Sequence, residues 1–126
     1  MTALTLDTGA LIALERRDAR ALRIVGAAQG SGHTITVPAP VLAQWWRGQR
    51  GPTARLLDAF DVEPIGKALA RTAGEALARM RGRAPSVVDA IVMASAASRG
   101  DCVLTGDSID LERLRSVFPA VRLIAV

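Results

Sequence analysis

Cysteine, histidine and lysine are almost missing from this chain, and each gap removes a class of chemistry. The single cysteine, Cys102, lies in the apolar run Cys102-Val-Leu-Thr105, cannot form a disulfide within the chain, and reads as a small core residue. The single histidine, His33, sits in a Gly-Ser-Gly-His turn and reads as a surface loop residue. That leaves neither a zinc site of familiar composition nor a Ser-His-Asp triad. Aromatic residues make up only 3% of the chain, so no ladder of stacking rings interleaves with its basic residues. Long apolar runs are absent too. The longest candidate, Val87 to Ser98, is shorter than a membrane span and carries Asp89. The opening Met1-Thr-Ala lacks the basic start of a signal peptide. The expectation is a cytoplasmic protein with no membrane partner.

What is present suits one domain, residues 1–126, with half its residues hydrophobic. The mean hydropathy of +0.26 argues against wholesale disorder. A net charge of +4 suits a polyanionic partner. Nearly all the positive charge is arginine, Lys67 being the exception, and genomic base composition accounts for that as readily as phosphate recognition does.

The chain is organised around Ala3-Leu-Thr-Leu-Asp7-Thr-Gly-Ala-Leu-Ile12. Leu4 and Leu6 predict a strand, Asp7 ends it, and Thr8-Gly9 opens a helix carrying Leu11, Ile12 and Leu14. Asp18 then caps a second helix. Thr34 to Val37 alternates as a second strand, and Pro38 and Pro40 admit a helix from about Val41 with Trp45 and Trp46. A basic turn, Gly48 to Pro52, precedes a short helix, Thr53 to Phe60, and a third strand near Val62. Gly66 to Met80 carries a helical stripe. Ser86 to Ser98 is apolar nearly all round, which predicts a central helix. Asp101 to Thr105 reads as the fourth strand, Ile109 to Val117 as a helix, and Val121 to Val126 as the fifth strand. Alternating strands and helices predict an α/β protein with a parallel sheet covered on both faces.

Three aspartates stand at comparable places. Asp7 follows strand one, Asp107 follows strand four with Asp110 one turn on, and Asp89 lies in the first turn of the central helix. If the sheet reverses direction between strands one and four, Asp7 and Asp107 face each other across the crevice where α/β proteins bind ligands. Each acid also has a structural explanation. Asp7 and Asp107 suit helix caps, and Ser86-x-x-Asp89 matches a capping box. Asp89 tips the balance. A carboxylate among Val87, Val88, Ile91 and Val92 needs a partner, and clustered carboxylates repel unless a cation joins them. A site of carboxylates alone points to Mg²⁺ or Mn²⁺, and such ions serve phosphodiester hydrolysis.

These stretches resemble the motifs of PIN domains, most closely those of small bacterial VapC-type toxins. Leu6-Asp7-Thr-Gly-Ala-Leu11 resembles the first motif, Val41-Leu-Ala-Gln-Trp-Trp-Arg-Gly48 the second, Val88-Asp89-Ala-Ile-Val-Met-Ala-Ser95 the third, and Leu104-Thr-Gly-Asp107-Ser-Ile-Asp110 onwards the fourth. The resemblance implies a three-layer α/β/α fold whose five-stranded parallel sheet runs in the order 3-2-1-4-5. It implies a metal-dependent endoribonuclease, a homodimer, and inhibition by a VapB-type antitoxin. Carried over by position, Asp7, Asp89 and Asp107 would be the metal-binding acids. Asp110 would support them, Thr105 would orient a carboxylate or water, and Thr8 would stand beside the site. Gln44 departs from the pattern, for the family's second motif usually carries glutamate there. An amide keeps an oxygen that can accept from a hydrated ion but is neither a base nor a strong ligand. The alternative is therefore a degenerate PIN domain retained for binding RNA or the antitoxin.

Candidate RNA-phosphate contacts are Arg47 and Arg50 beside the second motif and Arg81 and Arg83 before the central helix, although charge runs are commonly only solvated faces. Adjacent Trp45 and Trp46 cannot share one direction on a helix, so one is expected in the core and the other against a partner. Two other aspartate-led families fit poorly. Haloacid dehalogenase-type phosphatases want a second Asp where Gly9 stands, and receiver domains want a lysine that Lys67 does not supply.

Overall fold

A computed structural model describes residues 3–126; the reading of Met1 and Thr2 as the start of the chain falls outside them. Leu4, Leu6 and the hydroxyl-bearing Thr5 between them form β1 (Leu4–Leu6), buried on both faces. It pairs in parallel with β2 (Ile35–Pro38) on one side and β4 (Cys102–Thr105) on the other. β3 (Asp61–Glu63) extends the sheet beyond β2, and β5 (Leu123–Ala125) extends it beyond β4. The order is β3-β2-β1-β4-β5, as expected, with the switch point between β1 and β4.

Around the sheet lie α1 (Thr8–Glu15), α2 (Ala19–Gly30), α3 (Ala39–Trp45), α4 (Pro52–Arg55), α5 (Lys67–Ala78), α6 (Val87–Arg99) and α7 (Ser108–Leu114). The fold is a three-layer α/β/α sandwich, as expected. Local chemistry sets where these helices begin. Asp18 accepts from the Ala21 amide at 2.9 Å to cap α2, and Ser86 accepts from the Asp89 amide at 3.0 Å to cap α6. Pro40 in the first turn of α3 lets that helix begin at Ala39, ahead of Val41. Gly100, at φ +75°, ends α6 in the left-handed conformation and turns the chain into β4. From Ala90 to Ala96, α6 is buried without interruption and packs against β1, β2 and β4, so it is the central helix of the fold.

Several boundaries differ from the sequence reading. The helix expected from Thr53 to Phe60 is α4 followed by a 3₁₀ turn, Leu56–Ala59. The tighter turn packs Leu56 and Leu57 against the core and delivers buried Phe60 straight into β3. α7 ends at Leu114, its last buried position, because the amides of Val117 and Phe118 both turn back to the Leu114 carbonyl. Val121 is buried but precedes the last strand. The first turn of α6 is less enclosed than its composition suggests. Val87 is 60% exposed, since this end of the helix emerges at the sheet edge, and Asp89 is half-buried rather than immersed. The tryptophans divide as expected. Trp45 is buried and donates its indole N–H to Glu15 at 3.2 Å, whereas Trp46 is exposed.

At the opposite edge of the sheet lies a network that sequence reasoning missed. Arg99 donates to Asp101 at 3.0 Å, Glu63 at 2.5 Å, Thr5 at 2.9 Å and Ser95 at 2.8 Å, tying α6 to β1 and β3 and to the entry of β4. Asp101 is only 5% exposed, and the Arg99 guanidinium is its ion-pair partner, with the Thr5 hydroxyl donating to the same oxygen at 2.9 Å. Arg99→Ala would leave that carboxylate buried and unpaired, a loss expected to cost about 2–3 kcal/mol, less than for a fully enclosed pair because Arg99 keeps some solvent contact. Urea unfolding measures it. A change below about 0.5 kcal/mol, the level of an exposed pair, would show that the network adds nothing to stability.

Candidate active site

Asp7 caps α1 from the carboxyl end of β1. Its Oδ1 accepts from the Ala10 amide at 2.8 Å and the Gly106 amide at 3.2 Å, and its Oδ2 accepts from the Thr105 hydroxyl. Burial pushes the Asp7 carboxyl above the usual carboxylate range, the Thr105 hydroxyl and the two amides hold it back, and the charge of Asp107 adds to the rise. Thr105 makes both a side-chain and a backbone contact here. Its hydroxyl faces Asp7 and also accepts from the Asp107 amide at 3.0 Å, closing the turn after β4.

Asp107 caps α7 through the Ile109 amide at 3.3 Å and is exposed. Asp89 reaches the same region from the first turn of α6. Burial raises its pKa, the Ser86 hydroxyl opposes the rise, and the charges of Asp7, Asp110 and Asp107 add to it. Four carboxylates from three helix starts therefore lie within range of one another's charge. Asp110 is already engaged by Arg113 at 3.3 Å. Gln44 is exposed, and its amide oxygen accepts from the Thr8 hydroxyl at 2.6 Å, which joins α3 to the residue after Asp7.

Among the described residues, no three His, Cys, Asp or Glu side chains are arranged as a formed metal site. Asp7 and Asp107 are instead turned onto the backbone amides of Ala10 and Ile109. The donor set nevertheless fits a hard ion. It is made wholly of oxygen, and Asp7 and Asp89 are both carboxylates whose anionic form is penalised, the condition a divalent cation relieves.

Two glycines govern the spacing, and sequence reasoning missed their pairing. A Cβ on Gly9 would lie 2.7 Å from the Gly106 Cα, and one on Gly106 would lie 2.7 Å from the Gly9 Cα. The turn after β1 and the turn after β4 thus touch backbone to backbone, which brings Asp7 and Asp107 to one place. The available signal was their position: Gly9 stands two residues after Asp7, and Gly106 stands between the end of β4 and Asp107.

The candidate arginines divide. Arg47 turns its guanidinium onto the carbonyls of Ala43 and Trp46, at 3.1 and 2.6 Å, so it is occupied within its own helix end. Arg50, Arg81 and Arg83 are exposed.

Sheet order and acidic edge together define a doubly wound α/β domain with carboxylates near its switch point. The PIN domain family model matches residues 4–116, and the chain belongs to that family. A search of curated protein sequences finds no match. Among solved structures, the chain is similar to the VapBC2 complex of Rickettsia felis bound to a promoter DNA fragment, with 13% identity, 99% of each chain covered and a TM-score of 0.73. It is similar to DNA-bound VapBC from Salmonella typhimurium, with 17% identity over 99% of this chain and 98% of that one, at a TM-score of 0.71. FitAcB from Neisseria gonorrhoeae matches with 16% identity over 96% of each chain and a TM-score of 0.68. At such identities the likeness is one of fold.

Proposed function

We propose that this PIN domain is an Mg²⁺- or Mn²⁺-dependent endoribonuclease, the toxin of a VapBC-type toxin–antitoxin pair acting in the cytoplasm. The observation that carries the reading is that Asp7, Asp89 and Asp107 stand near the switch point within range of one another's charge, with the anions of Asp7 and Asp89 both penalised. These three would hold the ion, with Asp110 at the margin. A bound divalent cation lowers the pKa of water and offsets the negative charge that gathers on a phosphodiester undergoing hydrolysis.

The chain's own residues prepare that site. Thr105 fixes one oxygen of Asp7, the Ala10 and Gly106 amides fix the other, and the Thr8–Gln44 contact holds α3 against the entrance. An antitoxin partner and a homodimer are proposed in keeping with the toxin–antitoxin complexes whose fold the chain shares.

The test is cleavage of total bacterial RNA by chelator-stripped protein with Mg²⁺ or Mn²⁺ added back. Cutting only in the presence of the metal supports the nuclease. Folded, antitoxin-free protein that cuts with neither ion favours the second reading, a degenerate module for binding RNA or the antitoxin. Gln44, an amide held by the Thr8 hydroxyl where an acid was expected, is the feature that favours it.

Gln44→Glu would place a further carboxylate beside Thr8. It is expected to tighten Mn²⁺ binding by about tenfold, the effect of a residue that supports ligands from just outside the coordination shell. Unchanged affinity in a titration would place residue 44 outside the metal's surroundings.

A further inference from the structure

The loop before α6 is exposed from Arg81 to Ala84, and only Pro85 at its end is buried. Such a segment has little packing to fix its shape. Among the described residues, a single side chain hydrogen-bonds it. Arg113, in α7, donates through Nη2 to the carbonyls of Arg81 and Arg83, at 3.0 and 2.5 Å, while its Nη1 reaches Asp110 Oδ1 at 3.3 Å. Gly82, at φ +73°, supplies the turn that presents both carbonyls to one guanidinium.

As an exposed i,i+3 ion pair, Arg113–Asp110 would contribute little. The grip on two carbonyls is the informative part. Arginine's planar fork can hold three acceptors at fixed angles, which the compact ammonium of lysine does not do. With the carbonyls of Arg81 and Arg83 bound inward, the loop that carries these two cations is held beside Asp110 and the start of α6, where Asp89 lies.

We propose that Arg113 is a positioning residue for RNA: it latches the Arg81–Arg83 loop to the acidic edge, so that phosphate contacts and carboxylates share one surface, and it keeps Asp110 as its own partner. This rests on the nuclease reading. Arg113 touches neither phosphate nor metal, so its removal should act through Arg81 and Arg83. Asp7, Asp89 and Asp107 make no hydrogen bond to Arg113.

The experiment compares Arg113→Ala, the Arg81→Ala/Arg83→Ala pair and the triple variant. Cleavage kinetics use a single-stranded RNA that the wild type cuts. RNA affinity is read in chelator across a range of salt. Arg113→Ala is expected to raise KM roughly tenfold with kcat within about twofold, and to make the salt dependence shallower by about 1.5 in log–log slope, the share of two single-strand phosphate contacts. The triple variant should bind no more weakly than the pair, because the latch has nothing left to hold. Trypsin should also cut faster after Arg81 and Arg83 in Arg113→Ala.

A fall in kcat at unchanged KM, or a triple variant weakened by the full additional factor, would overturn the latch. If Arg113→Ala does not fold, Arg113→Gln, which keeps a donor but reaches fewer acceptors, carries the same comparison. Wild-type protein that neither binds nor cuts RNA would overturn the nuclease reading and the RNA role with it. A cutting wild type with an unaffected Arg113→Ala overturns the role of Arg113 alone.

Discussion

Asp89→Asn is expected to lower metal-dependent RNA cleavage by about 10²–10³-fold, the scale seen when one preorganised charge stabiliser is removed, while making the metal-free protein more stable at neutral pH. The two effects share a cause. Asp89 is half-buried and its anion is penalised by burial and by the charges of Asp7, Asp110 and Asp107, so the folded chain holds its proton more tightly than the unfolded chain does. The stability that this protonation confers is fully present below the unfolded pKa near 3.8. It is lost as pH rises through the higher folded pKa, and above that pH the wild type keeps the full penalty. Asparagine keeps the shape and carries no charge.

The measurement is urea unfolding from pH 4 to pH 7 in chelator, wild type against Asp89→Asn. The stability difference should grow in favour of the variant as pH rises through the folded pKa of Asp89. Mn²⁺ should then raise the stability of the wild type and leave the variant nearly unchanged. A variant that is less stable at every pH, or one that cuts RNA as fast as the wild type, would remove Asp89 from the site.

Gly106→Ala is expected to be the most damaging small substitution in the chain, costing about 3 kcal/mol, at or beyond the upper end for an overpacked position, or about 10 °C in Tm. The new methyl would meet the backbone of Gly9 at 2.7–2.9 Å, and backbone on both sides has no rotamer into which to retreat. The two turns would have to part. Gly106 also donates its amide to Asp7 Oδ1, so parting them pulls the carboxylate from its anchor and separates Asp7 from Asp107. Any protein that still folds should therefore lose metal-dependent cleavage.

Gly74→Ala provides the control. It makes the same chemical change inside α5, at an exposed position where a Cβ meets nothing within 4 Å. That substitution should stabilise by up to about 1 kcal/mol, through helix propensity alone. Equal effects at the two positions would show that the Gly9–Gly106 contact does not constrain the site.

Much of this molecule is legible along the chain because the chemistry that sets it is local. Asp18 and Ser86 cap helices through amides three residues on, the apolar run of α6 announces a central helix, and β-strand residues alternate with helical stripes in a pattern that only a parallel sheet accommodates. The four candidate acids were singled out by the same means, each standing at a strand end or in a first helical turn. Boundaries that slipped, such as the 3₁₀ turn before β3 and the early end of α7, depend on which side chains the core accepts. Propensity does not carry that information.

The sequence by itself determined the alternation of elements, the helix starts and the identity of the candidate acids, because hydrogen bonds between near neighbours and the burial of periodic apolar residues decide them. Only the tertiary structure decided how the acids are held. Thr105 meets Asp7 across 98 residues of chain, Arg99 reaches Thr5 across 94, and Arg113 closes on carbonyls 30 and 32 residues away. Such contacts form only when strands and helices have already packed, and nothing in the spacing of one partner marks the other.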